Sequence, residues 1–438
     1  MMEQDVLPVG LERDARHLVT LEPGKAVLTR RNLVSAAASL AASGALGAAP
    51  GKAAAETIPS RPEWQQRPGA ELMSPPYGAP SARESQVIRR ARHGSPPPPT
   101  NYAGISLTPH QNLYGIVTPG GLHYERHHSG VPDIDPDQHR LLVHGLVERP
   151  LIFTMDDLTR FPSVSRLHFL ECSGNTPTWG VPKPGLTVQD THGLLSCSEW
   201  TGVPLATVLA EAGVRPEGKW LLAEGGDAAA LTRSIPIEKA FDDALLVYAQ
   251  NGERLRPEQG YPLRLLLPGF EGNTSIKWLR RLKIGTAPFQ TRWETSKYSL
   301  VLPDQTIRQF DFVMDAKSVI TSPSGGQSLK GTGFHEISGL AWSGRGKITR
   351  VEVSTDGGTS WHDAALQEPV LSKCLTRFRF PWQWEGAPAR LASRSTDASG
   401  YVQPSRAALE SIRDGRSYYH NNAIQTWAVA ANGSVVNA

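Results

Sequence analysis

The chain has 438 residues, of which 39% are hydrophobic, 20% charged and 7% aromatic, with a net charge of +3. It is longer than one hydrophobic core usually fills, ordinary in composition for a globular protein, and too balanced in charge to call for a nucleic-acid partner. Its 35 prolines and 41 glycines point to a loop-rich protein that contains strands.

Residues 1–55 read as a twin-arginine (Tat) signal peptide and not as part of the fold. Arg30 and Arg31 stand just before a small, apolar, uncharged run over 34–49, and Ala53, Ala54 and Ala55 offer the side chains a signal peptidase accepts. Cleavage near Ala55 and Tat export to the periplasm are expected; the competing reading is an Ala-rich tail with a chance arginine pair. Tat carries folded proteins, which suggests a cofactor inserted before export. No other stretch approaches the ~18 apolar residues of a membrane span, so none is expected. Residues 56–100, with four prolines at 96–99, read as a Pro-rich extended arm available to a partner.

From 101 to 312, short strand-like runs alternate with helical ones, the mark of an α+β domain. A strand closed by a turn is predicted over 141–147. A helix is predicted over 205–212 with Gly213 as its C-cap, and a buried strand over 263–267 that meets the turn Pro268-Gly269. From 313 to 438 the pattern changes to short strands, at 328–331, 337–342, 348–354 and 377–384. Asp356-Gly357-Gly358 is a hairpin signal, and no helical period competes before Arg406. This predicts an immunoglobulin-like antiparallel β-sandwich, with the boundary between 310 and 318. Gly344-Arg345-Gly346-Lys347 is too short for a phosphate loop and reads as a turn between strands.

Three cysteines, Cys172, Cys197 and Cys374, leave at least one thiol unpaired or ligating in an exported protein. None lies in a c-type haem motif or a zinc pair, so no haem is expected in this chain. In Phe169-Leu170-Glu171-Cys172-Ser173-Gly174-Asn175 an apolar strand stops at the cysteine before a Ser-Gly-Asn turn. That places the sulfur at a strand end, beside backbone that can be approached closely. Taken alone, this suits a small buried hydrophobe as readily as a metal ligand. Upstream, Arg126 could grip an oxyanion through two parallel hydrogen bonds. The adjacent His127 and His128 should point apart on a strand, so that at most one faces any given site; both could equally be solvated or capping residues.

Arg126, His128 and Pro132, followed by Asp135-Pro136, form one motif in a series. Next come Cys172-Ser173-Gly174-Asn175, Gln259-Gly260-Tyr261-Pro262-Leu263-Arg264 with Pro268-Gly269, and Ile276-Lys277-Trp278-Leu279. Gly339-Leu340-Ala341-Trp342-Ser343-Gly344 and Val353-Ser354-Thr355-Asp356-Gly357-Gly358 extend the series into the second domain. In order and spacing this set resembles the sulfite oxidase family of molybdenum enzymes over about 100–430. Glu171 to Asn175, Glu294 to Tyr298 and Asn422 to Trp427 resemble its SoxC branch, the molybdenum subunit of sulfane dehydrogenase in the thiosulfate-oxidising Sox system.

The resemblance implies a sulfite-oxidase-like molybdopterin domain followed by an immunoglobulin-like domain that pairs with its copy in a homodimer, within a hetero-oligomer. It implies molybdenum with one molybdopterin, held by the thiolate of Cys172. His128, Arg264 and Lys277 match cofactor contacts, Arg126 the arginine facing the metal and the anionic substrate, and Tyr298 the active-site tyrosine. The implied chemistry is oxygen-atom transfer to a reduced sulfur, with electrons leaving to a separate SoxD-like c-type cytochrome. The implied substrate is sulfane sulfur on a SoxYZ-like carrier protein. Three positions depart from sulfite oxidases: Thr176-Pro177 stands where they carry an arginine pair, Gln259 where they usually carry histidine, and His420 near a further substrate arginine. Fewer fixed cations disfavour capture of a free dianion. Two alternatives stay open: a sulfite dehydrogenase acting on free sulfite, and a non-catalytic export or adhesion protein in which Cys172 is merely buried.

Overall fold

The computed structural model describes residues 62–66, 77–91, 102–176, 183–413 and 419–438. The predicted signal peptide, the prolines at 96–99 and Pro177 lie outside them. The chain divides into a unit of residues 1–79, with the helical turn Glu63–Gln65, and a unit of residues 80–438, which contains everything described below.

The first half of the larger unit is built on two five-stranded sheets. One runs in the order Leu151–Phe153, Leu141–Gly145, Leu279–Gly285, Trp220–Gly225, Thr232–Pro236. Its pair Leu141–Gly145 with Leu279–Gly285 is parallel and the others are antiparallel. The predicted turn after the strand at 141 falls at Gly145, with φ +97°, where a Cβ would stand 2.2 Å from the carbonyl oxygen of Ile284. Glycine alone permits that approach.

The second sheet runs Glu253–Arg254, Leu245–Gln250, Leu195–Pro204, Val164–Glu171, with Arg264–Leu266 also pairing Leu245–Gln250. Val164–Glu171 starts near the surface and ends fully buried at Phe169, Leu170 and Glu171, so the chain dives inward as it reaches Cys172. The helix Leu205–Ala212 follows Pro204 and stops at Gly213, which is left-handed with φ +69°. Its buried residues, Leu205, Val208, Leu209 and Ala212, recur at i, i+3, i+4 and i+7 and pack on the core with Leu141, Leu221, Leu246 and Leu282.

The second half is an antiparallel sandwich. One sheet contains Lys317–Ser322, Gly333–Trp342, Thr376–Trp384 and Ala365–Leu366; the other contains His362–Asp363, Ile348–Ser354, Ala389–Asp397, Thr426–Val429 and Val435–Asn437. Asp356-Gly357-Gly358 turns the chain between Ile348–Ser354 and its antiparallel partner His362–Asp363. The first helix in this half is Arg406–Ile412, capped by Ser405. One expected strand is absent: residues 328–331 make only an isolated bridge, Ser328 to Ser434, because Gly331 with φ +76° turns the chain away.

Trp342, Phe378, Leu391 and Trp427 share one core with Phe169, Leu195 and Cys197 of the first half, and the buried Glu171–Lys317 pair also joins the two halves. Cys197 and Cys374 lie in that shared core with their sulfurs 3.5 Å apart. Among the described residues no helix is long and apolar enough to cross a membrane.

Candidate active site

A cavity opens where Val164–Glu171 ends, and Cys172 lines it. Its walls include five more of the sequence-predicted site residues: Arg126, His128, Arg264, Lys277 and Tyr298. All six candidates therefore meet in one place, although they come from five separate stretches of chain.

The thiol is carried by a tightly held turn. The Cys172 amide donates to the carbonyl of Leu194 at 3.0 Å, and the Asn175 amide donates back to Cys172 at 2.8 Å. Behind it, the buried carboxylate of Glu171 accepts from Asn175 Nδ2 at 2.9 Å, Lys317 Nζ at 3.0 Å and Trp342 Nε1 at 2.6 Å. These bonds fix the turn against the sandwich. Burial pushes the Cys172 thiol up, while the Gly174 amide and Arg126 pull it down. A bound metal would deprotonate it outright.

His127 and His128 both line the cavity, against the expectation that at most one would. The strand Glu125–His127 ends between them, so the alternation of a strand no longer applies at His128. His128 Nε2 and the Tyr298 hydroxyl share a hydrogen bond of 3.0 Å. Burial, with Arg126 next, pulls His128 down to about 3, while burial and the Cys172 sulfur push the Tyr298 phenol up. Both are thus neutral at ordinary pH, and the phenol remains a proton-bearing donor. Tyr298 has φ +53°, and the guanidinium of Arg233 lies 5.1 Å from the centre of its ring.

Three cations line the cavity, and among the described residues none of them forms an ion pair with a carboxylate. Lys277 Nζ donates to Arg126 O at 3.2 Å, Glu258 O at 3.1 Å and His127 Nδ1 at 2.8 Å. With Nδ1 accepting, His127 Nε2 carries the proton and donates to Glu125 at 3.0 Å. Burial, with Arg264 next, holds the Lys277 ammonium well below its ordinary range. Arg264 donates to Gln259 O at 3.0 Å and stacks over Trp200, but its buried Nε has no partner. Burial brings its pKa down to about 10. Arg126 donates to the carbonyl of His127.

The positions that depart from sulfite oxidases are not equivalent. Thr176 is buried with φ +61°, and its hydroxyl accepts from Lys317 at 2.9 Å. It faces the scaffold behind Cys172 and does not line the cavity, while Pro177, the second position of the pair, lies outside the described residues. His420 lies one layer behind the wall. Its amide donates to Ser173 O at 2.8 Å, and its Nε2 meets Glu271 at 3.3 Å. Glu271 also pairs with Arg233 at 2.9 Å. Burial pushes the Glu271 carboxyl up, but Arg233 and His420 outweigh it and hold the carboxyl below its usual range. Gln259 fills its place neutrally, donating to Tyr124 O at 3.0 Å.

Sequence reading missed Tyr124, Asp227, Asn273 and Trp278, which also line the cavity. Trp278 stands inside the motif Ile276 to Leu279 without having been given a role, Asn273 falls between Pro268-Gly269 and that motif, and Asp227 follows Gly225-Gly226, so the available signal was proximity in the chain. The donor set suits a pterin-bound soft metal: one thiol, three cations without carboxylate partners, and an unpaired buried N–H. Gly272 completes the wall, since a Cβ there would stand 2.8 Å from Glu171 O and 2.9 Å from the Tyr124 hydroxyl.

Comparison with known proteins gives the same picture. An oxidoreductase molybdopterin binding domain matches residues 128–293, and a Mo-co oxidoreductase dimerisation domain matches 308–427. The chain is similar to the crystal structure of the sulfane dehydrogenase SoxCD from Paracoccus pantotrophus. Identity is 47% and the TM-score 0.84, over 87% of this chain and 97% of that one. It is 31% identical to mitochondrial sulfite oxidase of Rattus norvegicus, over 79% of this chain and 66% of that protein. It is 34% identical to NADH nitrate reductase 2 of Phaseolus vulgaris, over 62% of this chain but only 34% of that protein. The chain thus spans only part of the length of these last two relatives.

Proposed function

This chain belongs to the sulfite oxidase family of molybdopterin oxidoreductases, and from that premise we propose that it oxidises sulfane sulfur held on a carrier protein and delivers the electrons to a separate c-type cytochrome. The observation that carries this reading is its 47% identity to sulfane dehydrogenase across 97% of that chain.

One molybdenum held by one pterin would, when bound, supply the two-electron oxygen-atom transfer. Cys172 would hold the metal as a thiolate. His128, Arg264 and Lys277 would hold the pterin and its phosphate, which explains cations kept at a folding cost. Arg126 would orient the anionic end of the substrate. Tyr298, kept neutral by burial and by the Cys172 sulfur, would donate a hydrogen bond to substrate oxygen while its own oxygen stays tied to His128.

Substrate choice follows from the remaining charge. A free dianion needs several fixed cations to offset its desolvation, and the cation expected at His420 is replaced by a histidine tied to Glu271. Sulfur on a carrier brings less charge inside and gains binding from contact outside. We assign the carrier role to a SoxYZ-like protein and the acceptor role to a SoxD-like cytochrome, with no haem in this chain. The sandwich at 313–438 would pair two copies within that hetero-oligomer, and the arginine pair at 30–31 would direct Tat export to the periplasm.

The decisive experiment is metal and pterin analysis of the exported protein, followed by cytochrome reduction with a persulfide-bearing carrier and with sulfite. Molybdenum with faster reduction by the carrier supports the reading. Equal or better efficiency with sulfite replaces it by sulfite dehydrogenase, the alternative favoured by the similarity to sulfite oxidase. Absence of molybdenum removes both.

A further inference from the structure

The described stretch of the N-terminal arm at 88–90 is bound to the domain that carries the cavity, through two adjacent arginines that serve different places. Arg90 bridges Leu107 through its backbone, and its guanidinium holds Asp190 at 2.7 and 2.9 Å and Thr187 at 3.0 Å. Gln189 adds a bond to Ile88 O at 3.0 Å. These contacts anchor the arm on the helix Val188–His192, whose residues do not line the cavity.

Arg89 engages the cavity wall instead. Its guanidinium forms an ion pair with Glu125, donates to His123 O at 3.1 Å and reaches Glu258 at 3.5 Å. Those three acceptors lie on two stretches of chain, 123–125 and 258. Residues 126–127, which directly continue the first stretch, and Glu258 supply every acceptor of Lys277 that the structure shows: Arg126 O, His127 Nδ1 and Glu258 O. Glu125 joins the two sets by accepting from His127. One neutral bond, Gln259 Nε2 to Tyr124 O, also ties the stretches together.

We infer that Arg89 is a positioning residue of the cofactor pocket: from the arm it clamps together the two chain segments that supply the acceptors of Lys277 and so aim it into the cavity. The inference rests on the reading of Lys277 as a cofactor contact. Its physical basis is that a half-buried ammonium, disfavoured by desolvation and by Arg264, keeps a fixed direction only while its acceptors stay in place. Arg89 has the forked geometry to bond several acceptors at once, with 21% of its side chain exposed. The matched molybdopterin domain begins at residue 128, so this clamp lies upstream of it.

The test uses the full chain purified with its cofactor. Molybdenum and pterin per folded chain are measured, together with the rate of pterin release after dilution, while circular dichroism and thermal unfolding check the fold. Outer partners of a metal site typically change retention by roughly 10–100-fold when removed. Arg89→Ala should release pterin faster by about that factor with the fold intact, and Arg89→Lys should fall between, because one ammonium cannot span both carboxylates and the carbonyl. Arg90→Ala should leave release near the wild-type rate. Adding Arg89→Ala to Lys277→Met should cause no further loss, since the clamp acts through Lys277.

Wild-type release from Arg89→Ala overturns the inference. So does an equal effect from Arg90→Ala, which would make arm docking as a whole responsible, or an additive loss in the double variant. A wild-type chain that carries no molybdenum or pterin overturns the cofactor reading itself, and the clamp with it.

Discussion

In front of Cys172, Arg126, Arg264 and Lys277 line the cavity and form no ion pair with a carboxylate among the described residues. Behind it, Glu171 is bonded to Lys317, and Glu271 to Arg233 and His420. The rear charges are all buried, as is Arg264, whereas Arg126 and Lys277 are half-buried where they meet the cavity. The rear charges are matched inside the chain, where they hold the Cys172 turn and the layer behind the cavity in place. The front charges form no ion pair among the described residues, although Glu125 and Asp227 act on Lys277 from farther off, and this incomplete match costs folding energy unless an anionic ligand completes it. The contrast teaches that net charge says little about a site; what marks it is where charges are left unmatched.

The sharpest way to break this comparison is at Cys172 itself. Cys172→Ser should abolish activity and molybdenum retention, because a hydroxyl is a harder and less acidic ligand than a thiol. Cys197→Ala and Cys374→Ala should keep the metal, as neither lines the cavity. Metal loss confined to the latter two, read by elemental analysis, would reassign the ligand.

The rear layer should matter next, for stability. Lys317→Met leaves the carboxylate of Glu171 buried without its cation, and such a loss costs roughly 3–5 kcal/mol. Denaturant unfolding of the cofactor-free chain measures it. A cost below 1 kcal/mol would mean that Asn175 and Trp342 suffice to hold Glu171.

In the front layer the same operation should do the opposite. Arg264→Met should weaken cofactor retention by roughly 10–100-fold, yet leave the cofactor-free chain no less stable, since burial already works against the Arg264 charge. Destabilisation by several kcal/mol would place Arg264 among the structural charges.

Acid should then expose two buried histidines. Burial, with Arg377 next, pulls His110 down to about 4; burial, with Arg264 next, pulls His123 down to about 3. Unfolded, both bind a proton near pH 6.5. Their stabilisation of the neutral fold is therefore complete above pH 6.5 and declines as pH falls toward 4 and 3, by up to about 1.4 kcal/mol per pH unit for each. Unfolding midpoints that stay flat from pH 7 to 5 would contradict this.

The smallest effect should come from His420→Arg, which adds a fixed cation one layer from the cavity. A rise of a few fold in sulfite kcat/KM relative to the carrier is expected, because Glu271 would neutralise part of the new charge. The corresponding change at Thr176 should produce misfolding in place of sulfite preference, since arginine there would face Lys317 in the buried layer.

Local chemistry was legible in the sequence because it depends on near neighbours. The strand stopping at Cys172 follows from an apolar run that meets Ser173-Gly174-Asn175. The helix Leu205–Ala212 follows from its apolar spacing and Gly213. The sandwich follows from turn spacing, although its one missing strand, at 328–331, makes only the isolated bridge from Ser328 to Ser434 before the chain turns at Gly331. The six candidate residues that line the cavity were readable as candidates, since each sits in a motif with its own local signature.

What only the tertiary structure decided is which way those side chains face and what answers them. Thr176 reads as a lost substrate cation until its hydroxyl is found against Lys317, 141 residues away in the chain. His127 and His128 read as alternatives until the strand ends between them and both enter the cavity. Arg89 reads as part of a linker until its guanidinium reaches Glu258, 169 residues on. Sequence spacing fixes periodicity, and periodicity fixes faces within an element. Whether a charge is matched or left open depends on partners from distant elements, and only the packed fold brings those within hydrogen-bonding distance.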